Sequence, residues 1–267
     1  MKTKVVILIA VICIIIGLLL VGGCLLGLYT DIPQAILTQM TSSTTTQTEA
    51  TTTTTTPVTT THGPTQTVSH IIKGVPIIKQ FPAYPTGCET ISAMMVLQYF
   101  NETVSTEEFI NNHLEKGGFY SKDGKLYGPN PYDKFVGDPR TTSSLGCFAP
   151  VMERALKSYF GDDGRVQNTT GLTLDQLCAQ YIENDIPVLV WSTIYMEQVG
   201  TGSVWYDEKT GEKLQWRTNE HCMVLVGYDA THYYFNDPYS GRQLRFAKVV
   251  VNDRHAKFEC QSIVVTK

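Results

Sequence analysis

The chain lacks an excess of basic residues and has no pair of cysteines spaced Cys-x-x-Cys. Its formal net charge is −4 at pH 7. Proteins that bind nucleic acid neutralise phosphates with clustered Lys and Arg, so this composition argues against a nucleic-acid partner. Structural zinc sites commonly use closely spaced cysteine pairs, so we expect no metal and no other cofactor.

Charge is also nearly absent from the start of the chain. Lys2 and Lys4 are the only charged residues among the first 30, and an uncharged run of 25 residues extends from Val5 to Tyr29. About 20 apolar residues suffice to cross a bilayer. We therefore expect residues 1–30 to form a transmembrane anchor, with the lysines in the cytoplasm and the remainder of the chain outside the cell.

Two other interpretations of this segment stay open. The stretch from Val21 to Cys24 resembles a bacterial lipoprotein cleavage box, in which case Cys24 would carry a lipid anchor. A cleaved secretory signal is the third possibility, although its apolar stretch is usually about 7–15 residues long. All three interpretations place the following part of the chain outside the cytosol.

The next segment is rich in threonine and lacks Leu, Ile and Phe from Thr38 to Thr67. Such a segment cannot bury enough apolar surface to offset chain entropy, so residues 31–70 are predicted to be a disordered linker. Its composition is also typical of O-glycosylated stalks. The remaining residues, 71–267, are enough for one domain with a substantial core.

Within that domain, helix-like patterns precede strand-like patterns. Amphipathic or buried helices are predicted at residues 88–100, 105–114, 149–160 and 173–185. Short β-branched and aromatic runs predict strands at residues 74–82, 186–194, 221–229, 232–238 and 260–266. Helices followed by an antiparallel sheet favour an α+β fold.

Two segments are candidates to line a binding cleft. The Gly- and Pro-rich stretch from Gly117 to Gly146 is predicted to be a long functional loop. The stretch from Gly200 to Trp216 is predicted to be a hairpin insertion, with Trp191, Trp205 and Trp216 around it. These tryptophans either rim a cleft or simply pack in the core.

The downstream cysteines raise the question of disulfides. An oxidising exterior permits them. Cys222 and Cys260 fall in predicted strands, and Cys147 and Cys178 lie near predicted helices. Pairing within each of these two groups is an open hypothesis.

Cys88 follows a Pro-Thr-Gly turn and begins the first predicted helix. The first N–H groups of a helix carry partial positive charge, which stabilises a thiolate and lowers the pKa of a thiol placed there. Cys88 is thus a candidate nucleophile. Taken alone, it is more often a packed thiol or half of a disulfide.

His221 opens an apolar strand, and Asp237 ends the next one. Both are eight residues from Asp229. A hairpin centred on Asp229 would place them directly opposite each other, with Cβ atoms about 4.5–5.5 Å apart. A carboxylate there would orient the imidazole, and the imidazole would activate a thiol. The alternative for His221 is a hydrogen-bonded core histidine.

Gln80 precedes Cys88 by eight residues. Acyl transfer builds negative charge on the substrate carbonyl oxygen. A side-chain amide, together with the backbone N–H of Cys88, is able to receive that charge. By position alone, Gln80 would be an ordinary surface glutamine.

Four stretches carry a family resemblance. They are "VPIIKQFPAYPTGCETISAMMVLQYF", "FVGDPRTTSSLGCFAPVMERAL", "IPVLVWSTIYM" and "NEHCMVLVGYDATHYYFNDPYSG". The chain resembles the C39-like branch of papain-type cysteine peptidases, a bacterial family, from about Val75 to Lys267. The resemblance implies a papain-like α+β fold in which a nucleophile helix precedes an antiparallel sheet.

The same resemblance implies a role for each matching residue. It makes Gln80 the oxyanion donor, Cys88 the nucleophile, His221 the base and Asp237 the orienting residue. Asn236 is an ambiguity, because papain itself uses an asparagine in the last role. The bacteriocin-processing members carry Asp-Cys-Gly and are fused to transporters in the cytosol, whereas this chain has Gly-Cys-Glu. Leader-peptide removal is therefore not implied.

These observations predict a monomeric, membrane-anchored extracellular cysteine peptidase that acts on peptides, proteins or cell-wall peptides. A transamidase or acyltransferase with the same residues is the first alternative, because an amine would then replace water as acceptor. A non-catalytic papain-like binding module is the second. An intact set of Gln, Cys, His and Asp argues against the second.

Overall fold

The structure is a computed structural model that describes residues 69–267. The expected anchor and nearly all of the expected linker, residues 1–68, lie outside the described residues. Within residues 69–267, no helix combines the length and the apolar character that a membrane crossing requires. Everything described belongs to one compact unit.

The helix that carries the candidate nucleophile is α1 (Cys88–Tyr99), and every residue from Cys88 to Leu97 is buried. A helix that is buried on all sides belongs to the interior of a domain. The tight turn before it requires Gly87, because a Cβ there would lie 2.9 Å from the Cβ of Tyr84. The predicted helix at residues 88–100 is confirmed to within one residue.

Four further helices are α2 (Thr106–Asn112), α3 (Ala149–Phe160), α4 (Leu174–Gln180) and α5 (Lys248–Ala256). Ser105 caps α2 by accepting a hydrogen bond from the backbone N–H of Glu108. The first three of these helices were expected. The sequence did not predict α5, because its consecutive valines favour a strand.

The main sheet has seven strands. They are β1 (His70–Ile71), β6 (Val166–Asn168), β7 (Val188–Thr193), β10 (Glu220–Tyr228), β11 (His232–Asp237), β12 (Arg242–Ala247) and β13 (Ser262–Val265). Their order is β12-β11-β10-β7-β13-β6, with β1 paired to β10, and all neighbours are antiparallel.

Alternate residues of the central strands face two separate cores. On one face, Cys222 and Val224 pack with α1 and α3. On the other, Met223 and Leu225 pack with α4 and with Val251 of α5. All nine residues of β10 are therefore buried. The predicted α+β architecture with a sheet-rich C-terminal part is confirmed.

The stretch from Gly117 to Gly146 is not the single loop that was expected. Two short strands, β2 (Lys116–Gly117) and β5 (Phe135–Val136), pair in parallel. Four more strands form a second sheet in the order β3-β4-β8-β9. They are β3 (Tyr120–Lys122), β4 (Lys125–Gly128), β8 (Gly200–Asp207) and β9 (Lys213–Thr218).

The hairpin predicted at Gly200–Trp216 is confirmed as β8 and β9. The strand predicted at residues 74–82 is wrong, since the only nearby strand is the two-residue β1 (His70–Ile71) within the described range. The missed strands of residues 116–136 contain at most four residues each. Such runs are too short for a periodic pattern to identify them.

The three tryptophans pack in the interior, which was one of the two expected roles, and Trp205 also lines a pocket of about 120 Å³. Trp191, Trp205 and Trp216 are all buried. Trp191 Nε1 donates to the carbonyl of Cys147 at 2.9 Å, and Trp205 Nε1 donates to the carbonyl of Pro129 at 3.0 Å. Buried indole groups generally find such partners.

The hypothesised disulfides are wrong. All five cysteines of the described part are free thiols, namely Cys88, Cys147, Cys178, Cys222 and Cys260. Cys147 belongs to the core on one face of the main sheet and Cys178 to the core on the other. The sheet therefore separates these two side chains.

Candidate active site

Cys88 is the first residue of α1, and only 7% of its surface is exposed. Its thiol donates a hydrogen bond to Glu89 Oε2 at 3.3 Å. Burial raises the pKa of the Cys88 thiol well above its ordinary value, and the nearby carboxyl groups of Glu89 and Glu220 raise it further. The expected lowering of the pKa is therefore wrong, because lost hydration outweighs the helix N-terminus.

His221 and Asp237 are joined by a short, buried hydrogen bond. Nε2 of His221 lies 2.6 Å from Oδ1 of Asp237, and both side chains are buried. The predicted contact is therefore present. Because Nε2 is hydrogen-bonded to the carboxylate, Nδ1 is the ring nitrogen that remains to accept a proton from a thiol. Within residues 69–267, no hydrogen bond joins Cys88 to His221.

The strand register differs from the prediction, although the contact exists. Val224 lies opposite Asn236, and a bulge interrupts the ladder between Leu225 and Gly227. Continuing this register places Asp237 opposite residue 223, diagonal to His221. The hairpin turn spans residues 229–232 rather than centring on residue 229. Diagonal partners are still within reach of long side chains.

Asp237 is held ionised by several donors. Burial opposes ionisation, but hydrogen bonds from His221 and from backbone N–H groups keep the pKa of Asp237 below its ordinary value. Tyr239 N–H donates to Oδ1 at 3.0 Å, and Ser240 N–H donates to Oδ2 at 3.1 Å. The carboxylate is thus a fixed anion that orients the imidazole.

Asn236 faces a different part of the protein. Its Nδ2 donates to the carbonyls of Val75 at 3.0 Å and Pro76 at 3.2 Å, and its Oδ1 accepts from Gln243 at 3.1 Å. Successive strand residues point to opposite faces of a sheet. The ambiguity in the sequence between Asn236 and Asp237 as the partner of His221 is therefore removed.

Gln80 is a buried residue, only 2% exposed, and not a surface glutamine. Its Nε2 donates to the carbonyl of Pro85 at 2.9 Å, and its backbone N–H donates to the carbonyl of Pro238 at 2.9 Å. Gln80 thereby connects the turn before Cys88 to the loop after Asp237. An amide nitrogen has two hydrogens, so one remains free to meet an oxyanion.

Two buried acids that are not among the residues predicted from the sequence lie beside the thiol. Glu89 Oε1 accepts from the backbone N–H of Cys147 at 2.6 Å, while Glu220 Oε1 is buried without a partner. A Cβ on Gly146 would lie 2.5 Å from Glu89 Oε1 and 3.1 Å from Glu220 Oε2. The sequence signal was one acid next to each candidate residue, in "GCE" and "EHC".

Burial raises the pKa of Glu89 from 4.5 to about 7. Burial, and then the proximity of Glu89, raises the pKa of Glu220 well above its ordinary value. Two carboxyl groups this close resist ionising together. Of the two acids, Glu89 is the more readily ionised, because both of its oxygens accept hydrogen bonds.

Among residues 69–267, Cys88, Glu89 and Glu220 bring one potential metal-ligand atom each to within 4.8 Å of the others. Both oxygens of Glu89 already accept hydrogen bonds, from Cys88 and Cys147. The cluster is therefore explained as a buried acid pair, of which Glu89 is hydrogen-bonded to Cys88 and Cys147. The expectation that the protein uses no cofactor stays a prediction.

The acid pair gives a prediction about stability. Because the folded state raises the pKa of both acids, it binds more protons than the unfolded state above about pH 4.5. The free energy of unfolding therefore falls as pH rises toward 7. Glu220→Gln removes one buried acid, so we expect it to stabilise the protein by roughly 1–3 kcal/mol at about pH 8, and by less at about pH 5.

Urea unfolding at both pH values measures this effect. Glu212→Gln is the matched control, because Glu212 is exposed in the turn between β8 and β9. The control is expected to change stability little at either pH. Equal effects of Glu220→Gln at both pH values would show that the buried acid is not the cause.

Similarity to known proteins covers most of the described part of the chain. The Peptidase_C39 like family matches residues 72–263. YvpB, an uncharacterized protein of Bacillus subtilis (strain 168), is 27% identical over 186 residues, which are 70% of this chain and 71% of YvpB. The crystal structure of a proposed C39-like peptidase from Bacillus anthracis matches with a TM-score of 0.65 and 25% identity, over 74% of this chain and 98% of that one. Because the family match spans more than half of its length, the chain belongs to the Peptidase_C39 like family.

Proposed function

We propose that the protein is a cysteine peptidase that hydrolyses peptide bonds with Cys88 as nucleophile. The observation that carries the proposal is the buried 2.6 Å pair of His221 and Asp237, in a chain of a peptidase-like family. Cys88 lies beside Glu220 at the start of β10. His221 is the next residue and by strand alternation points to the opposite face, so the proposal requires the imidazole and the thiol to meet at this end of the sheet. Nucleophile, base and orienting acid then follow the logic of a catalytic triad.

The proposed reaction begins with attack of the Cys88 sulfur on the substrate carbonyl carbon. His221 takes the thiol proton and passes it to the leaving amine. Gln80 and the backbone N–H of Cys88, which lies in the first turn of α1, stabilise the oxyanion. Water, activated by His221, then hydrolyses the thioester and returns the proton to the sulfur.

The raised pKa of Cys88 affects the timing of this reaction. The resting enzyme holds a thiol rather than a thiolate, because burial and the acid pair both disfavour a second negative charge. Proton transfer to His221 must therefore accompany substrate binding and attack. Apo enzymes often show catalytic hydrogen bonds that are long or unformed, and these tighten only with substrate bound.

Alkylation with iodoacetamide tests the assignment of the nucleophile. We expect peptide cleavage to fall in proportion to the fraction of Cys88 that is alkylated, as measured by peptide mass spectrometry. We also expect this alkylation to be slower than that of an unhindered thiol, since the thiol is mostly protonated. Cys260 is partly exposed and serves as the internal control. Full activity after complete alkylation of Cys88 would contradict the proposal.

We further propose that residues 1–30 anchor the protein in the membrane, that the domain lies outside the cell, and that residues 31–70 act as a stalk between them. The uncharged run from Val5 to Tyr29 and the threonine-rich segment support this placement. Lipid attachment at Cys24 would give the same location. Protease added to intact cells should degrade the domain. Survival of the domain in intact cells, together with its degradation in lysed cells, would contradict an external location.

A further inference from the structure

A cavity lies beside the loop that follows Asp237. It has a volume of about 360 Å³ and is lined by Lys79, Tyr195, Tyr239, Ser240, Arg242 and Leu244. We name it the Tyr239 pocket. The backbone N–H groups of Tyr239 and Ser240 both donate to Asp237, so the candidate site itself fixes one wall of the pocket.

Two further features connect the pocket to the candidate site. Lys79 directly precedes Gln80, and its side chain packs against Gly241, where a Cβ would lie 3.0 Å from the Cβ of Lys79. Gly241 also has a φ of +68°, which favours glycine. The ring of Tyr239 meets the ring of His221 edge-on, with centroids 6.0 Å apart. The pocket is therefore a direct neighbour of the imidazole.

The pocket carries positive charge without compensation. Lys79 and Arg242 are both exposed, and neither forms an ion pair within residues 69–267. None of the lining residues is acidic. A lysine and an arginine at one opening suit a carboxylate, because the guanidinium group offers two parallel donors and the ammonium group adds a point charge.

The aromatic wall of the pocket is held in an uncommon conformation. Tyr195 has a φ of +51° and is 49% exposed, and Met196 after it has a φ of +58°. The left-handed region is uncommon for bulky residues, and such conformations tend to occur at functional sites. The Tyr195 ring packs edge-on against Tyr239 with centroids 5.7 Å apart. This arrangement fixes an exposed tyrosine at the pocket.

The side of the substrate that reaches the pocket follows from the role of His221. An imidazole that protonates the leaving amine must lie next to the leaving part of the substrate. Tyr239 contacts this imidazole and lines the pocket. The leaving part is thus the part that extends toward Lys79 and Arg242.

We propose that the Tyr239 pocket binds a carboxylate on the leaving part of a peptide substrate. This inference rests on the proposed peptidase function and adds a substrate class to it. The enzyme then prefers peptides with Asp, Glu or a free C-terminus shortly after the cleaved bond. Lys79 and Arg242 are specificity residues, and the chemistry of bond cleavage does not depend on them.

The test digests a proteome-derived peptide library with the full chain and locates the cleaved bonds by labelling the new N-termini. We expect acidic residues or C-termini to be enriched after the cleaved bond. Arg242→Gln is expected to reduce that preference by about tenfold to a hundredfold, the usual worth of a charge-assisted hydrogen bond. A library with amidated C-termini separates terminal carboxylates from acidic side chains.

Arg245→Gln is the matched control, because Arg245 is exposed on the same strand, β12, but does not line the pocket. It should keep the preference of the wild type. The absence of acidic preference in the wild type would overturn the inference. So would a preference that survives both Lys79→Gln and Arg242→Gln. Both changes are on exposed side chains, so the folded state is expected to tolerate them.

A binding measurement separates this inference from the proposed function. Fluorescein-Gly-Ala-Asp-Ala-amide and its Asn counterpart are titrated into the Cys88→Ala chain, and fluorescence anisotropy is followed. Tighter binding of the Asp peptide that is lost in Arg242→Gln supports the pocket even if no cleavage occurs. Cleavage that depends on Cys88, but with equal binding and cleavage of Asp and Asn peptides, supports the peptidase and overturns the pocket.

Discussion

Cys88→Ala is expected to abolish peptide cleavage, with kcat falling by about a million-fold, the scale observed when a protease loses its nucleophile. Without the sulfur, no acyl-enzyme forms, and the oxyanion donors alone accelerate the reaction only weakly. The change removes one buried atom at the start of a helix, and alanine is the best helix former. We therefore expect the variant to fold.

Cleavage of fluorescently labelled casein by the full chain measures this effect. Cys260→Ala is the control, because Cys260 is a second free thiol that lies after α5, outside the candidate site. It should cleave casein as the wild type does. A Cys88→Ala chain that retains wild-type cleavage would exclude Cys88 as the nucleophile.

Asp237→Asn has the second largest expected effect, a loss of about 10⁴-fold in kcat. The asparagine has nearly the same shape, but its amide is able to donate to Nε2 of His221, where the carboxylate only accepts. The imidazole then carries its proton on Nδ1, the nitrogen that should receive the thiol proton. The variant therefore keeps the geometry of the site, but His221 is no longer able to accept the thiol proton.

Asn236→Ala is the control for this prediction. Asn236 is next in sequence to Asp237 but bonds to Val75, Pro76 and Gln243 rather than to His221. We expect it to lower stability by about 1 kcal/mol and to change kcat little. Steady-state kinetics on one peptide compare both variants. A large loss of kcat in Asn236→Ala, with little loss in Asp237→Asn, would assign the orienting role to the asparagine.

Much of this site follows from local sequence signals. The Pro-Thr-Gly turn before Cys88 and the apolar residues after it predict α1, because a buried helix and a tight turn both depend on neighbouring residues. The two apolar runs around Asp229 likewise predict the hairpin of β10 and β11. These elements position Cys88, His221 and Asp237, so the sequence predicted the helix and the hairpin that carry the candidate residues.

The register of that hairpin was not predictable in the same way. One extra residue between Leu225 and Gly227 shifts the ladder, and the turn spans residues 229–232. Bulges depend on packing against several elements at once. The contact between His221 and Asp237 survived because long side chains tolerate a diagonal arrangement.

The prediction of a lowered pKa for Cys88 was wrong for a different reason. A helix N-terminus is visible in a sequence, whereas burial and the approach of Glu220 arise only in the folded chain. Glu220 is 132 residues from Cys88 in the sequence, yet its carboxyl group lies within 4.8 Å of the thiol. Burial and long-range electrostatics of this kind cannot be inferred from spacing. Here they raise the pKa of Cys88, burial most of all, and outweigh the effect of the helix N-terminus.

Mass spectrometry of the intact chain during turnover shows whether Cys88 forms an acyl-enzyme. A reactive peptide ester is mixed with the full chain, the reaction is stopped with acid, and the mass of the protein is measured. We expect an added acyl group that maps to Cys88, is removed by hydroxylamine, and is absent from Cys88→Ala. Turnover without this adduct in the wild type, or an acyl group on another residue that persists in Cys88→Ala, would exclude Cys88 as the nucleophile.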